Sequence, residues 1–163
     1  MKLSRKAKRY DDSVLPGDFG GFEPFAHGDP GSEGEVRCTI RRTGKSVELG
    51  DITLERLSVK KQSFAKLKAR AEDLSRQLTY LDERLEIVDH DRRAMYIQLR
   101  SLPPYKDDSQ IRFNEISIGR DKVVVKRIAF YRRDETKRQV PLNLSEEDLE
   151  RLKCDLRQVL SPV

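Results

Sequence analysis

The stretch Leu57-Ser-Val-Lys-Lys-Gln-Ser-Phe64-Ala-Lys-Leu67-Lys-Ala-Arg-Ala71-Glu-Asp-Leu74-Ser-Arg-Gln-Leu78-Thr-Tyr-Leu81-Asp-Glu-Arg-Leu85 decides how the chain is read. Leu57, Phe64, Ala71, Leu78 and Leu85 stand seven apart, and Leu67, Leu74 and Leu81 form a second series between them. Spacings that alternate four and three put these side chains on one stripe of a helix. Residues 51–84 contain neither glycine nor proline. The pattern therefore predicts one helix over 51–84, roughly 50 Å long at about 1.5 Å per residue. Asp51 or Thr53 serves as its cap. An alternative continues a strand through 52–59 and starts the helix near Gln62 or Ser63.

Working outward, residues 1–34 are rich in turn formers and predict a disordered tail. Its first ten residues carry five basic and no acidic side chains, and residues 11–35 carry seven acidic and no basic ones. Phe19, Phe22 and Phe25 recur every three residues. They suit a short docking motif, or they rest on the protein's own surface. Val36, Cys38 and Ile40 alternate with polar residues, so 35–50 reads as a hairpin turning at Thr43-Gly44.

Beyond the helix, 85–163 reads as a small domain. A hairpin spans Leu85 to Arg100, and a second spans Ile111 to Arg132 with its turn at Gly119-Arg120-Asp121. A change of apolar parity predicts a bulge near Asn114-Glu115. Val123-Val124-Val125 is the candidate central strand. Ser145 caps a closing helix whose Leu149, Leu152, Leu156 and Leu160 share a face. The expected architecture is thus α+β: a long coiled-coil-like helix leading into a four-stranded antiparallel sheet with a C-terminal helix, behind a disordered N-terminus. The expected divisions are 1–34, 35–50, 51–84 and 85–163.

Composition bounds the function classes. The chain has 163 residues, 36% hydrophobic and 37% charged, with net charge +5. No apolar run approaches the roughly 20 residues of a membrane span. Cys38 and Cys154 are the only cysteines, and reduced thiols in a cytoplasmic protein are the simplest expectation. Catalytic patterns are weak. Asp89-His90-Asp91 clusters metal-ligand types, but at a turn, where these residues are common for backbone reasons. Glu115, Asp121 and Lys126 are the residue types of a metal-dependent nuclease without its spacing. No catalytic residue, metal, cofactor or small-molecule substrate is assigned.

What remains is interaction. The stripe residues Leu57, Phe64, Leu67, Ala71, Leu74 and Leu78 require a covering surface, and self-association or a partner helix is the economical source. Between Arg92 and Arg138 thirteen basic residues face six acidic ones. Arg93, Arg100, Arg112, Arg120, Lys126, Arg127, Arg132 and Arg133 are candidates for binding a polyanion such as nucleic acid. The expectation is a non-enzymatic interaction or oligomerisation protein, with nucleic-acid binding through these strands as the alternative.

Two short fragments also resemble the cyclic-dinucleotide-binding PilZ family. Arg5-Lys-Ala-Lys-Arg9 matches its pair of arginines four apart, and Asp51-Ile-Thr-Leu-Glu-Arg56 partly matches its Asp-x-Ser-x-x-Gly turn. Thr53 stands in place of that serine and Arg56 in place of that glycine. The resemblance implies a β-barrel and a cyclic-dinucleotide ligand, and neither is carried into the expectation above.

Overall fold

A computed structural model describes residues 14–57 and 62–161. Its strands are β1 (Val14–Leu15), β2 (Glu23–Asp29), β3 (Gly34–Thr43), β4 (Ser46–Glu55), β5 (Leu85–Asp91), β6 (Tyr96–Ser101), β7 (Tyr105–Lys106), β8 (Gln110–Ile118), β9 (Lys122–Tyr131), β10 (Thr136–Val140) and β11 (Leu142–Ser145). The helices are α1 (Phe64–Gln77) and α2 (Glu146–Val159). All eleven strands belong to one sheet, whose main path runs β2-β3-β4-β9-β8-β6-β5. Pairing is antiparallel throughout, except that β1 runs parallel to β10.

This corrects the expected architecture. In place of a long coiled-coil-like helix leading into a four-stranded sheet, the described residues form a large antiparallel sheet that carries two short helices. The region 51–55 is strand, because Ile52 and Leu54 pair with Val125 and Val123 and bury both side chains completely. Alternation at 52 and 54 suits a pleat, and the pairing supplies hydrogen bonds that a free helix end lacks. Residues 58–61 lie outside the described residues. The helix begins at Phe64, where the hydroxyl of Ser63 accepts from the Lys66 N–H at 3.1 Å. It ends at Leu78, which leaves helical geometry at ψ 57°.

The expected disorder is likewise corrected where the chain is described. β1 and β2 are strands, while residues 1–13 lie outside the description. Phe19 and Phe22 pack on the protein's own sheet, on the face away from the helices. Phe22 lies 5.2 Å from Phe19, with Arg41 4.7 Å above its ring. A side chain at Gly50 would press on the Phe19 ring and collide with the Thr39 hydroxyl, so the bare backbone there admits the ring. The expected bulge at Asn114-Glu115 is absent: β8 and β9 pair in unbroken register from Gln110↔Tyr131 to Ile118↔Val123. The parity change reflects burial on both faces, since Phe113, Asn114, Glu115 and Ile116 are all buried.

The sheet forks. β4 pairs with β9 only over Ile52–Glu55, and with β11 over Ser46–Leu49. β9 in turn leaves β4 and takes β10 from Arg127 to Tyr131. β10 and β11 therefore fill the wedge between two diverging strands, changing partner at Pro141, which has no N–H to pair. Gln139 Nε2 ties the fork together by donating to the Gly50 carbonyl at 2.6 Å. Both helices lie on one face of the sheet. Phe64, Leu67, Ala71 and Leu74 from α1 join Leu149, Leu152 and Leu156 from α2 over Val36, Leu49, Ile52, Leu54, Ile97, Leu99, Ile116 and Ile118 in one core. Arg70 closes the far end, donating to the Gln158 carbonyl at 2.7 Å and satisfying a helix-terminal acceptor.

The stripe is thus covered within one chain. Leu67, Ala71, Leu74 and Leu78 are at most 2% exposed, Phe64 is buried, and Leu57 alone is exposed, at 56%. Leu74→Ala is expected to cost about 2–5 kcal/mol of unfolding free energy, whereas Leu57→Ala stays within about 0.5 kcal/mol. Urea unfolding of both variants checks the contrast.

Candidate functional site

Arg127 follows Val123 and Val125 on the helix-bearing side of β9, so strand alternation directs a guanidinium into a core position. It is 6% exposed. Its Nη1 donates to Glu83 Oε1 at 2.9 Å and to Asn114 Oδ1 at 2.8 Å, and its Nη2 donates to Glu83 Oε2 at 3.0 Å. The Ser101 hydroxyl donates to Glu83 Oε1 at 2.8 Å and accepts from the Asn114 N–H at 2.7 Å. Both oxygens of Glu83 are therefore engaged. A buried ion pair is tolerated only when such additional bonds fill the remaining lone pairs.

Above this network lies a cleft of about 500 Å³ lined by Asp82, Glu83, Tyr105, Gln110, Arg112 and Arg127. Gln110 and Arg112 occupy the same side of β8 as Asn114 and Ile116, because each lies an even number of residues from them. Arg112 Nε donates to Gln110 Oε1 at 2.8 Å. The wall beside it is the short strand β7, where Tyr105 pairs with Arg112. The Tyr105 hydroxyl donates to Asp107 at 2.9 Å. Asp107 also accepts from the N–H groups of Ser109 (2.8 Å) and Gln110 (2.9 Å) and from the Ser109 hydroxyl. Those backbone donors hold its carboxyl down at about 2. Through the same bond the Tyr105 hydroxyl is pushed above its ordinary value.

The opposite face of the sheet carries alternating charge. Arg100 pairs with Glu115 at 3.0 Å and lies 4.9 Å over the Phe113 ring. Glu115 stands directly opposite Lys126 in the β8–β9 register. Half-burial raises the carboxyl of Asp51, with Lys126 and Arg37 pulling it back. Like-for-unlike placement of this kind stabilises neighbouring strands.

The eight basic residues do not share one face. Arg127 is in the core, Arg112 lines the cleft, and Arg100 and Lys126 lie beside Glu115 on the other side. Arg132 is tied by its Nε to the Asp107 carbonyl at 3.0 Å, with Arg133 next to it in an exposed turn. Arg93 and Arg120 occupy the turns at the opposite end of the sheet. Those two turns are neighbours, since Ile97 pairs with Ile118. Arg92 shares the first turn and lies 5.3 Å over the Phe64 ring, which also meets His90 at 5.6 Å.

The weaker chemical candidates resolve simply. Asp91 accepts from the Arg93 and Ala94 N–H groups, forming the turn. Among the described residues no group of three or more His, Cys, Asp or Glu is placed to hold a metal. Cys38 is buried, which pushes its thiol up, and Cys154 is exposed; neither is bridged. Asp51 to Glu55 is strand rather than a ligand turn, and Arg5 to Arg9 lies outside the described residues. Sequence reasoning passed over Asp82, Glu83, Ser101, Tyr105, Gln110 and Asn114. The available signal was Arg127 itself, a charge at the core parity of the Val123–Val125 strand.

No family model, no curated protein and no solved structure matches this chain.

The depressed carboxyl of Asp107 sets a direction. Its contribution to the Tyr105–Gln110 loop is complete above the ordinary value of 3.8 and is lost as pH falls through about 2. Carbon-detected NMR is expected to show a midpoint near 2 for Asp107, and the loop amide shifts in that window are expected to vanish in Asp107→Asn.

Proposed function

We propose that this chain is a non-enzymatic binding protein for a polyanion, nucleic acid first, engaged at the end of the sheet that carries Arg92, Arg93 and Arg120. The supporting observation is the adjacency of two exposed arginine-bearing turns. Ile97 pairs with Ile118, so the turn holding Arg92 and Arg93 and the turn holding Arg120 lie side by side. All three arginines are exposed. The nearby Asp91 accepts backbone N–H bonds within its own turn. Clustered guanidiniums suit phosphate oxygens, and the affinity they give comes largely from released counterions. The Arg56 N–H donates to the Asp121 carbonyl at 2.8 Å, which brings a further basic residue beside the same turn.

The strands supply rigidity in this reading, and the turns supply contact. Oligomerisation through the leucine stripe forms no part of it, because the chain's own sheet and α2 already cover Phe64, Leu67, Ala71, Leu74 and Leu78. Among the described residues no helix is long and apolar enough to cross a membrane. A cytoplasmic setting belongs to the proposal and draws support from the two unbridged cysteines.

Fluorescence anisotropy with labelled RNA and DNA tests the proposal. Binding is expected to weaken with salt at a log–log slope of about −2 to −3, as for roughly three phosphates. Replacing Arg92, Arg93 and Arg120 together with Gln is expected to flatten that slope and lower affinity at least about tenfold. Arg132→Gln with Arg133→Gln is expected to leave both nearly unchanged. Absence of binding at about 50 mM salt, or a triple variant that binds like the parent, overturns it. So does binding only to an acidic peptide.

A further inference from the structure

The cleft above Arg127 lies at the other end of the sheet from these turns, and its polar groups are unequally used. Glu83 is saturated by Arg127 and Ser101. Asp107, which does not line the cleft but bonds its Tyr105 wall, is saturated by Tyr105, Ser109 and Gln110. Arg127 is neutralised by Glu83 and further held by Asn114. Arg112 differs. Its Nε orients the guanidinium through Gln110, while among the described residues neither terminal nitrogen has a partner. The Gln110 carboxamide is fixed by the same bond with its oxygen toward Arg112, which leaves its NH2 as a second donor. Tyr105, 45% exposed, contributes an aromatic wall. Asp82 is an exposed carboxylate on the rim.

We infer that this cleft binds the terminal carboxylate or phosphate group of a small anionic ligand, with Arg112 and Gln110 as its donors. A guanidinium fork with both terminal nitrogens available matches two oxygens of either group. The fork is held in place before any ligand arrives: Nε is committed to Gln110, β8 is pinned between β9 and β7, and the saturated Arg127 network forms a rigid floor. Donors oriented in advance lose little freedom on binding. The about 500 Å³ of the cleft is in the range of small-molecule sites. Asp82 opposes an anion from the rim, so its charge sets affinity from the unfavourable side.

Inorganic phosphate and citrate, titrated into the full chain and followed by amide NMR shifts, test the inference and separate the two anion chemistries. Saturable shifts are expected at residues 82–83, 105 and 110–112 with at least one probe. Arg112→Gln is expected to weaken that binding at least about tenfold, and Asp82→Asn to tighten it. Arg93→Gln with Arg120→Gln is expected to leave it unchanged, which keeps the outcome distinct from the nucleic-acid proposal. Should Arg112→Gln lose the native spectrum, Arg112→Lys carries the comparison, with an expected intermediate loss because the fork is gone and the charge stays. The inference is overturned if neither probe gives saturable shifts in the cleft, if the Arg112 variant binds as the parent does, or if Asp82→Asn weakens binding.

Discussion

The guanidinium of Arg127 is withdrawn from water beside the carboxylate of Glu83, and the course of the chain between its first helix and its fifth strand depends on that pairing. Removing two charges from water costs several kcal/mol per ion even after relaxation, so the pair persists only because its geometry is close and its spare lone pairs are filled. Ser101 of β6 fills one by donating to Glu83, and Asn114 of β8 satisfies a remaining Arg127 N–H by accepting from it. A helix that continued past Leu78 would carry Glu83 along its own axis. The clamp instead fixes Glu83 over the sheet, and Leu85 enters β5 two residues later, pairing with Ser101. Leu78 and Leu81 remain in the core from non-helical backbone.

A second constraint acts through the fork. Strands β4 and β9 share only the stretch between Ile52–Glu55 and Lys122–Val125, and then separate. The wedge is filled by one nearly continuous run, β10 and β11, which delivers the chain to Ser145 at the start of α2. There the Ser145 hydroxyl accepts from the Asp148 N–H at 3.0 Å. α2 then packs beside α1, and the Tyr80 hydroxyl donates to Asp155 at 2.7 Å, with Arg151 over the Tyr80 ring. Burial and this bond together push the Tyr80 phenol well above its usual range. The turn after α1 is therefore held twice, by α2 through Tyr80 and by the sheet through Glu83. The rim of that twice-held turn bears Asp82, which is why the cleft beside it has a fixed shape.

Much of the local structure was legible because local chemistry determines it. The turn at Gly44, which falls on Gly44-Lys45 and so one residue beyond the expected Thr43-Gly44, the turn at Gly119–Asp121, the Ser145 cap and the β character of Val123–Val125 each follow from residues close in sequence, and β9 does occupy the middle of the main path. The long helix misled because its seven-residue repeat was real in its burial and false in its backbone. Phe64, Leu67, Ala71, Leu74, Leu78 and Leu81 are all buried, yet only the first four are helical. A stripe can be continued by a turn when a tertiary clamp holds it, and Glu83 gives no local sign of its partner 44 residues away. The front end misled for a related reason: turn-rich composition matches both disorder and a strand that borrows its stability from β3. Of the candidate site, the arginines were visible, but their division among core, cleft, charged face and turns depends on strand register, which a single sequence does not specify.

The most direct test of this account is a double-mutant cycle on Glu83→Leu and Arg127→Met, read by urea unfolding. Each single change leaves a buried charge without its partner and is expected to cost about 3–5 kcal/mol, while the double variant, with both charges replaced by apolar groups, is expected to cost much less than their sum. Single-variant losses that simply add, to within about 0.5 kcal/mol, would contradict the claim that this pair holds the turn onto the sheet.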